Sequence, residues 1–167
     1  MCGWRKSGFP GAQPVSLDRE NLAFLSQRAY KVSWKADGTR YMMLIDGKDQ
    51  TYFIDRDNCV FQVDNITFLH RKDANKHIGS TLLDGEMVID EVNDQKFPRY
   101  LVYDVIQFEG QEVGKTIFST RLLCVDKEIV KTRAKYVEEG RIDRASEPFS
   151  VRAKQFWPLN DTGYGRS

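Results

Sequence analysis

The sequence predicts an α+β fold built on a largely antiparallel β-sheet with flanking helices. Three observations carry that prediction. Short apolar runs recur between residues 30 and 108, separated by Asp-Gly and Arg-Asp-Asn turns. Only two longer segments, near residues 17–29 and 119–138, carry apolar residues at helical spacing. The strands are grouped rather than alternating with helices, which separates this pattern from a parallel α/β sheet. The 167 residues suit one domain, and a hydrophobic share of 41% with 29% charged residues is that of a folded chain.

In chain order, residues 1–15 hold Gly3, Gly8, Pro10, Gly11 and Pro14 and read as an irregular lead-in. Ser16 is placed to cap a helix from Leu17 to about Ala29, with Leu22 and Leu25 on one side. A meander follows: Tyr30–Ala36, a turn at Asp37-Gly38, Thr39–Asp46, a turn opening at Asp46-Gly47, Thr51–Asp55, and Cys59–Val63. Residues 71–78 are polar and read as a helix. Thr81–Asp90 and Tyr100–Phe108 are two more strands, joined through the polar stretch Glu91–Lys96. Ser119 is placed to cap a helix running to about Glu138, with Leu122, Val125, Ile129 and Val137 as its stripe and Gly140 as the C-terminal cap. Residues 1–157 form the expected domain, and 158–167 read as an irregular tail.

Composition narrows the function classes. The chain holds 25 Lys+Arg and 24 Asp+Glu, so a chain-wide basic surface for duplex nucleic acid is absent. The charge is uneven: residues 1–40 carry a net +4, residues 41–130 a net −6 and residues 131–154 a net +3. A few placed Arg and Lys side chains still suffice for a nucleotide. The longest apolar run, Tyr41–Ile45, is far short of a membrane span, and Met1–Lys6 contain no apolar leader core. Cys2, Cys59 and Cys124 lie too far apart for a disulfide framework or zinc cluster. His70 and His77 have no Cys or His partner at metal spacing.

Four segments carry candidate chemistry. Lys35-Ala36-Asp37-Gly38-Thr39-Arg40 reads either as a turn with exposed charges or as a covalent site. In the second reading, the Lys35 amine attacks a phosphorus atom. It must then be neutral, although free lysine titrates near 10.4, so cationic neighbours or burial must help. Arg40 fits a role donating to ribose or phosphate oxygens. In Leu82–Val88, strand alternation puts Asp84 and Glu86 on one face and Gly85 and Met87 on the other. Two acids on one face of an apolar strand need a partner or a ligand, unless Asp84-Gly85 is merely a turn. Tyr103 either packs in the core or stacks on a purine ring. Arg56, among acids at a strand end, is a surface ion-pair member or a ligand clamp.

The order of these pieces resembles the covalent nucleotidyltransferase superfamily of capping guanylyltransferases and polynucleotide ligases. Within it, the chain is similar to the guanylyltransferase part of animal messenger-RNA capping enzymes. The segments that carry this are Cys2–Ser16, Tyr30–Trp34 running into Lys35–Arg40, Leu83–Glu86 and Tyr100–Asp104. The resemblance covers about residues 2–156 and implies the nucleotidyltransferase fold, incomplete here. It implies that Lys35 is the nucleophile that becomes GMP-lysine. Arg40, Arg56, Asp84, Gly85 and Glu86 would bind GTP, and Tyr103 would stack on guanine. A divalent cation, Mg²⁺ or Mn²⁺, would be required, with Glu86 its one candidate contact. The implied partners are GTP, the 5′-diphosphate end of nascent mRNA and the phosphorylated tail of RNA polymerase II, in the nucleus, with no membrane role.

The family's later acidic strand, basic K-x-K strand and OB-fold domain have no counterpart after Trp157. The expectation is therefore an RNA guanylyltransferase segment with little or no turnover by itself. Two other readings stay open: an ATP-dependent ligase-type nucleotidyltransferase, and a non-catalytic nucleotide-binding fragment.

Overall fold

A computed structural model describes Phe9 and residues 11–159. In chain order its elements are α1 (Phe24–Gln27), β1 (Lys31–Val32), β2 (Thr39–Ile45), β3 (Thr51–Ile54), β4 (Val60–Gln62), β5 (Leu69–His70), β6 (Asp73–His77), β7 (Thr81–Val92), β8 (Gln95–Phe108), β9 (Gln111–Glu112), a helix in three consecutive pieces, β10 (Ser150–Ala153) and β11 (Trp157–Pro158). The helix pieces are α2 (Phe118–Cys124), a π-helical turn (Val125–Val130) and α3 (Lys131–Glu138). Packing divides the chain into two units. Among the described residues, the larger holds Phe9, Gly11 and Ala36–Ala153, and the smaller holds Ala12–Lys35 and Lys154–Leu159.

The larger unit is built on one sheet in the order β10-β8-β7-β2-β3-β4, with β9 paired to β8. Only β10 runs parallel to its neighbour; the other pairings are antiparallel, as the sequence predicts. Period-2 alternation sorts the central strands into two faces. On one face Met43, Ile45, Leu83, Tyr100, Val102 and Val105 pack against Val125 and Ile129 of the π-helical turn. On the other, Met42 and Leu82 form a smaller cluster under the ring of Phe9. That second face also carries the polar residues described below.

Several elements differ from the sequence-based expectation. Tyr30–Ala36 is not a long strand, and Asp37-Gly38 does not close a hairpin. β1 is two residues long and pairs with β11, whereas β2 pairs with β7 and β3. Gly38 is pressed onto the Met87 carbonyl, where a Cβ would overlap it, so this glycine serves close strand approach. The helix expected over 17–29 shortens to one turn. Ala23, not Ser16, stands at its N-cap and no side chain caps it, while Asp18 organises the turn before it by accepting from the Glu20 and Asn21 amides, each at 2.9 Å. Leu22 is half exposed, so the apolar stripe has no core to stabilise more turns.

Residues 71–78 are not helical. They form most of the β5–β6 hairpin, whose Leu69 packs with Tyr136 and Ile142. The stretch 91–96 is not a loop but the tip of the β7–β8 hairpin. Asn93 and Asp94, with φ of 52° and 61°, make a two-residue turn between Val92 and its partner Gln95. The second helix starts one residue before Ser119, with Ile117 at its N-cap, so Ser119 lies inside the first turn and caps nothing. Gly140 behaves as expected. Its φ is +68°, its amide donates to the Val137 carbonyl at 3.0 Å, and the Arg141 amide donates to the Tyr136 carbonyl at 2.8 Å.

β10 was not anticipated from sequence; it adds to β8 as a parallel edge strand. Its approach is held by the buried pair Arg133–Glu147 at 2.5 Å. Arg133 also donates to the Thr67 carbonyl and lies 4.7 Å from the Phe68 ring centroid. The smaller unit holds α1 and the β1–β11 pair. Leu159 donates to the Tyr30 carbonyl there at 3.0 Å, so the expected tail begins as paired backbone. Residues 160–167 lie outside the described part. Among the described residues, no helix is long and apolar enough to cross a membrane.

Candidate active site

The polar residues gather on the Phe9 face of the central sheet because of strand register. Arg40 on β2 stands opposite Glu86 on β7, and Met42 stands opposite Asp84. Arg40 and Asp84 are thus diagonal neighbours on one face, within reach of a long side chain. They form a bidentate pair: Nε donates to Oδ1 at 3.0 Å and Nη2 to Oδ2 at 2.6 Å. The side chains are 12% and 2% exposed, so the pair is shielded from solvent. The hydrogen bonds that Arg40 donates to Asp84 push its pKa further up, against the opposing effect of burial. Arg40 is therefore a permanent cation with its planar fork held in one orientation.

Tyr103 joins this cluster through a β-bulge. β8 pairs Asp104 with Asp84 and Val102 with Gly85, leaving Tyr103 as the extra residue. Bulges re-aim side chains and recur beside active sites. Here the ring centroid of Tyr103 lies 5.9 Å from the Arg40 guanidinium carbon. Burial first, then the Asp84 carboxylate, raise the phenol pKa above its usual value, with Arg40 opposing. Tyr103 is a neutral donor at any physiological pH. The neighbouring Asp104 is turned to the helix, where Arg121 holds it by two bonds of 2.6 and 3.0 Å. Tyr103 and Asp104 thus serve opposite faces, as alternation predicts.

Gly85 sits among these residues but faces away. A Cβ there would lie 2.6 Å from the Tyr100 ring and 2.7 Å from the Leu101 carbonyl oxygen. The ring of Tyr100 crosses that gap, and its hydroxyl donates to the Tyr41 carbonyl at 2.8 Å. Arg56 lies in the exposed turn after β3, organised by Asp55 accepting from the Asp57 and Cys59 amides, and stands outside the Arg40 cluster. Lys35 is exposed and belongs to the smaller unit. Within that unit, Ser33 donates to the Gln155 carbonyl at 2.6 Å, and the Lys154 ammonium lies 5.3 Å from the Trp34 ring centroid. Ala36, the next residue along the chain, is buried with Val88 and Leu101 in the larger unit.

Sequence reasoning missed Phe9. Its ring is 8% exposed, packs with Met42 and Leu82, and has its centroid 4.8 Å from the Arg40 guanidinium carbon. The only local signal was an aromatic residue inside the Gly8–Gly11 lead-in. Carboxylates suited to a metal are few. Among the described residues no three His, Cys, Asp or Glu side chains cluster, and Asp84 is fully engaged by Arg40. Glu86 is half-buried opposite Arg40 and, among the described residues, forms no ion pair.

A mostly antiparallel sheet with a few helices, on which an Arg–Asp pair, a glutamate and a tyrosine share one face, is consistent with a nucleotidyltransferase capping domain. The particular family follows from comparison: the model for the mRNA capping enzyme catalytic domain matches residues 1–163, and the chain belongs to that family. It is 59% identical to an mRNA-capping enzyme of Danio rerio over 94% of this chain and 26% of that protein. It is 58% identical to the mRNA-capping enzyme of Mus musculus over 96% of this chain and 27% of the relative. The Caenorhabditis elegans mRNA-capping enzyme is 40% identical over 97% of this chain. The chain thus spans about a quarter of the length of these relatives.

Proposed function

We propose that this chain carries the nucleotide-binding and lysine-guanylylating segment of an mRNA guanylyltransferase. The observation that carries the reading is the grouping of Arg40, Asp84, Glu86 and Tyr103 on one sheet face, four residues past Ala36 in a chain whose preceding residue is Lys35. In this reading the neutral Lys35 amine attacks the α-phosphorus of GTP. A phosphorus–nitrogen bond forms, the bond to the bridging oxygen breaks, and pyrophosphate leaves. GMP then passes to the terminal phosphate of a 5′-diphosphate RNA, which frees Lys35.

Each residue has a physical part. Arg40 presents its remaining N–H groups to ribose or phosphate oxygens, its plane held by Asp84. Asp84 acts through Arg40, and Gly85 acts by admitting Tyr100 behind the strand. Tyr103 offers a ring face to guanine. Arg56, in its exposed turn, reaches phosphate oxygens as a clamp. Glu86 takes a ribose hydroxyl or one coordination position of Mg²⁺ or Mn²⁺. Such an ion is ordinarily held by one or two carboxylates plus substrate phosphates, a demand that one free carboxylate meets. The cation, when bound, neutralises charge that builds on the phosphates.

Family membership supports a capping role, hence a nuclear setting and recruitment to the phosphorylated tail of RNA polymerase II. The resemblance of Val32–Arg40 to the capping branch favours GTP over the ATP of ligases. Because the chain spans a quarter of its relatives, turnover by the chain alone is expected to be weak. Each missing electrostatic donor to the α-phosphate costs about 10²–10³ in rate. The test is covalent labelling with α-labelled GTP and, separately, ATP. Acid-labile label from GTP only, lost in Lys35→Ala, is the expected pattern. Equal label from ATP, or label that survives Lys35→Ala, would overturn the assignment.

A further inference from the structure

We propose that Phe9 is a positioning residue for Arg40, and that Phe9 and Gly11 are parts of the nucleotide site. The proposal rests on the reading of Arg40 as a nucleotide contact. Two independent observations carry it. The first is the ring of Phe9, whose centroid stands 4.8 Å from the guanidinium carbon while the ring itself is anchored on Met42 and Leu82. The second is Gly11. A Cβ at that position would overlap Arg40 Nη2 and lie 2.8 Å from Asp84 Oδ2, so the backbone of the lead-in is pressed directly onto the ion pair.

Asp84 by itself fixes only one edge of the guanidinium. A fork bonded along one edge still rocks about the axis joining it to the carboxylate, and water still reaches its face. An apolar ring over that face removes both freedoms and adds the attraction of a cation to a π-system. Excluding water also strengthens the Arg40–Asp84 pair by lowering the local dielectric. The outward N–H groups of Arg40 then point one way before any nucleotide arrives, which removes part of the ordering cost of binding. Glycine at position 11 is required because only a residue without Cβ lets the strap lie this close.

The experiment combines binding and spectroscopy on the whole chain. Phe9→Leu keeps an apolar side chain on Met42 and Leu82 but removes the ring, and Phe9→Tyr restores it. Binding of fluorescently tagged GTP is expected to weaken roughly fivefold in Phe9→Leu and to recover in Phe9→Tyr. In nitrogen–proton spectra, the Arg40 Nε–H signal should lose its ring-current shift and exchange faster with water in Phe9→Leu, with recovery in Phe9→Tyr. Gly11→Ala, whose methyl would press on the Arg40–Asp84 pair and on the Phe9 ring together, should weaken binding and move the Arg40 Nε–H signal. Arg40→Ala separates the two ideas. Loss of binding in Arg40→Ala with wild-type binding and an unmoved Arg40 signal in Phe9→Leu would overturn the positioning role alone. Wild-type binding in Arg40→Ala would overturn the nucleotide assignment and the proposal with it.

Discussion

At the scale of single residues, the site is a case of one side chain being useful because another is spent on it. Asp84 gives both oxygens to Arg40 and is nearly inaccessible. Its place in a Leu-Leu-Asp-Gly-Glu strand is that of an orienting anion, while Glu86 two residues on stays available. The glycine between them answers to packing. Gly85→Ala would drive a methyl into the Tyr100 ring and the Leu101 carbonyl, both of which lie in the best-packed part of the sheet. Overpacking of this kind costs about 1–3 kcal/mol. Urea denaturation is the measurement, and unchanged stability would show that Tyr100 relaxes freely. The converse also holds: a Gly85 substitution that lowered nucleotide binding without lowering stability would point to direct contact.

At the scale of elements, the helix over Phe118–Glu138 shows where local signals suffice and where they do not. Its C-terminus is set by Gly140, whose positive φ permits both capping bonds. Gly140→Ala has open space for its methyl, so its cost is the backbone strain of a left-handed alanine, about 1 kcal/mol. A melting-temperature shift checks this, and no shift would mean the cap has re-formed differently. The π-helical turn at Val125–Val130 has no such local signature. It brings Val125 and Ile129 onto the sheet, and Thr132 caps its extra residue by donating to the Lys127 carbonyl at 2.8 Å. Similarly, the bulge in β8 that frees Tyr103 is invisible as a pattern, because one added residue changes register without changing composition.

At the scale of the whole molecule, the buried phenols tie stability to pH. Burial raises the pKa values of both Tyr100 and Tyr103 in the folded protein. In the unfolded chain a tyrosine ionises near 10. Above that pH the unfolded state loses protons that the folded state keeps, so folding stability declines as pH rises. Below pH 10 both states are protonated and the contribution is intact. Each such tyrosine contributes a slope of about 1.4 kcal/mol per pH unit. Comparing wild type with Tyr103→Phe from pH 9 to 11 by urea titration cancels the lysine background. The variant should lose stability less steeply, and identical slopes would contradict the burial of that hydroxyl.

What the sequence determined by itself was the inventory and the class. Grouped β-rich runs with Asp-Gly turns announced an antiparallel α+β sheet. Gly140 announced the end of the main helix, and the K-x-D-G-x-R segment with Asp84, Glu86 and Tyr103 supplied the resemblance on which the proposed nucleotide site rests. These features are local, encoded within a few residues of one another. Tertiary structure decided the rest. It set which strands pair, so that Asp37-Gly38 closes no hairpin and β2 adds to β7. It made a hairpin of the polar segment 73–77, paired with β5 and packed through Ala74 and Leu69 against Tyr136. And it laid Phe9, remote in sequence from Arg40 and Asp84, across their ion pair. Such contacts depend on which surfaces the folded chain brings together to exclude water, and no window of neighbouring residues carries that information.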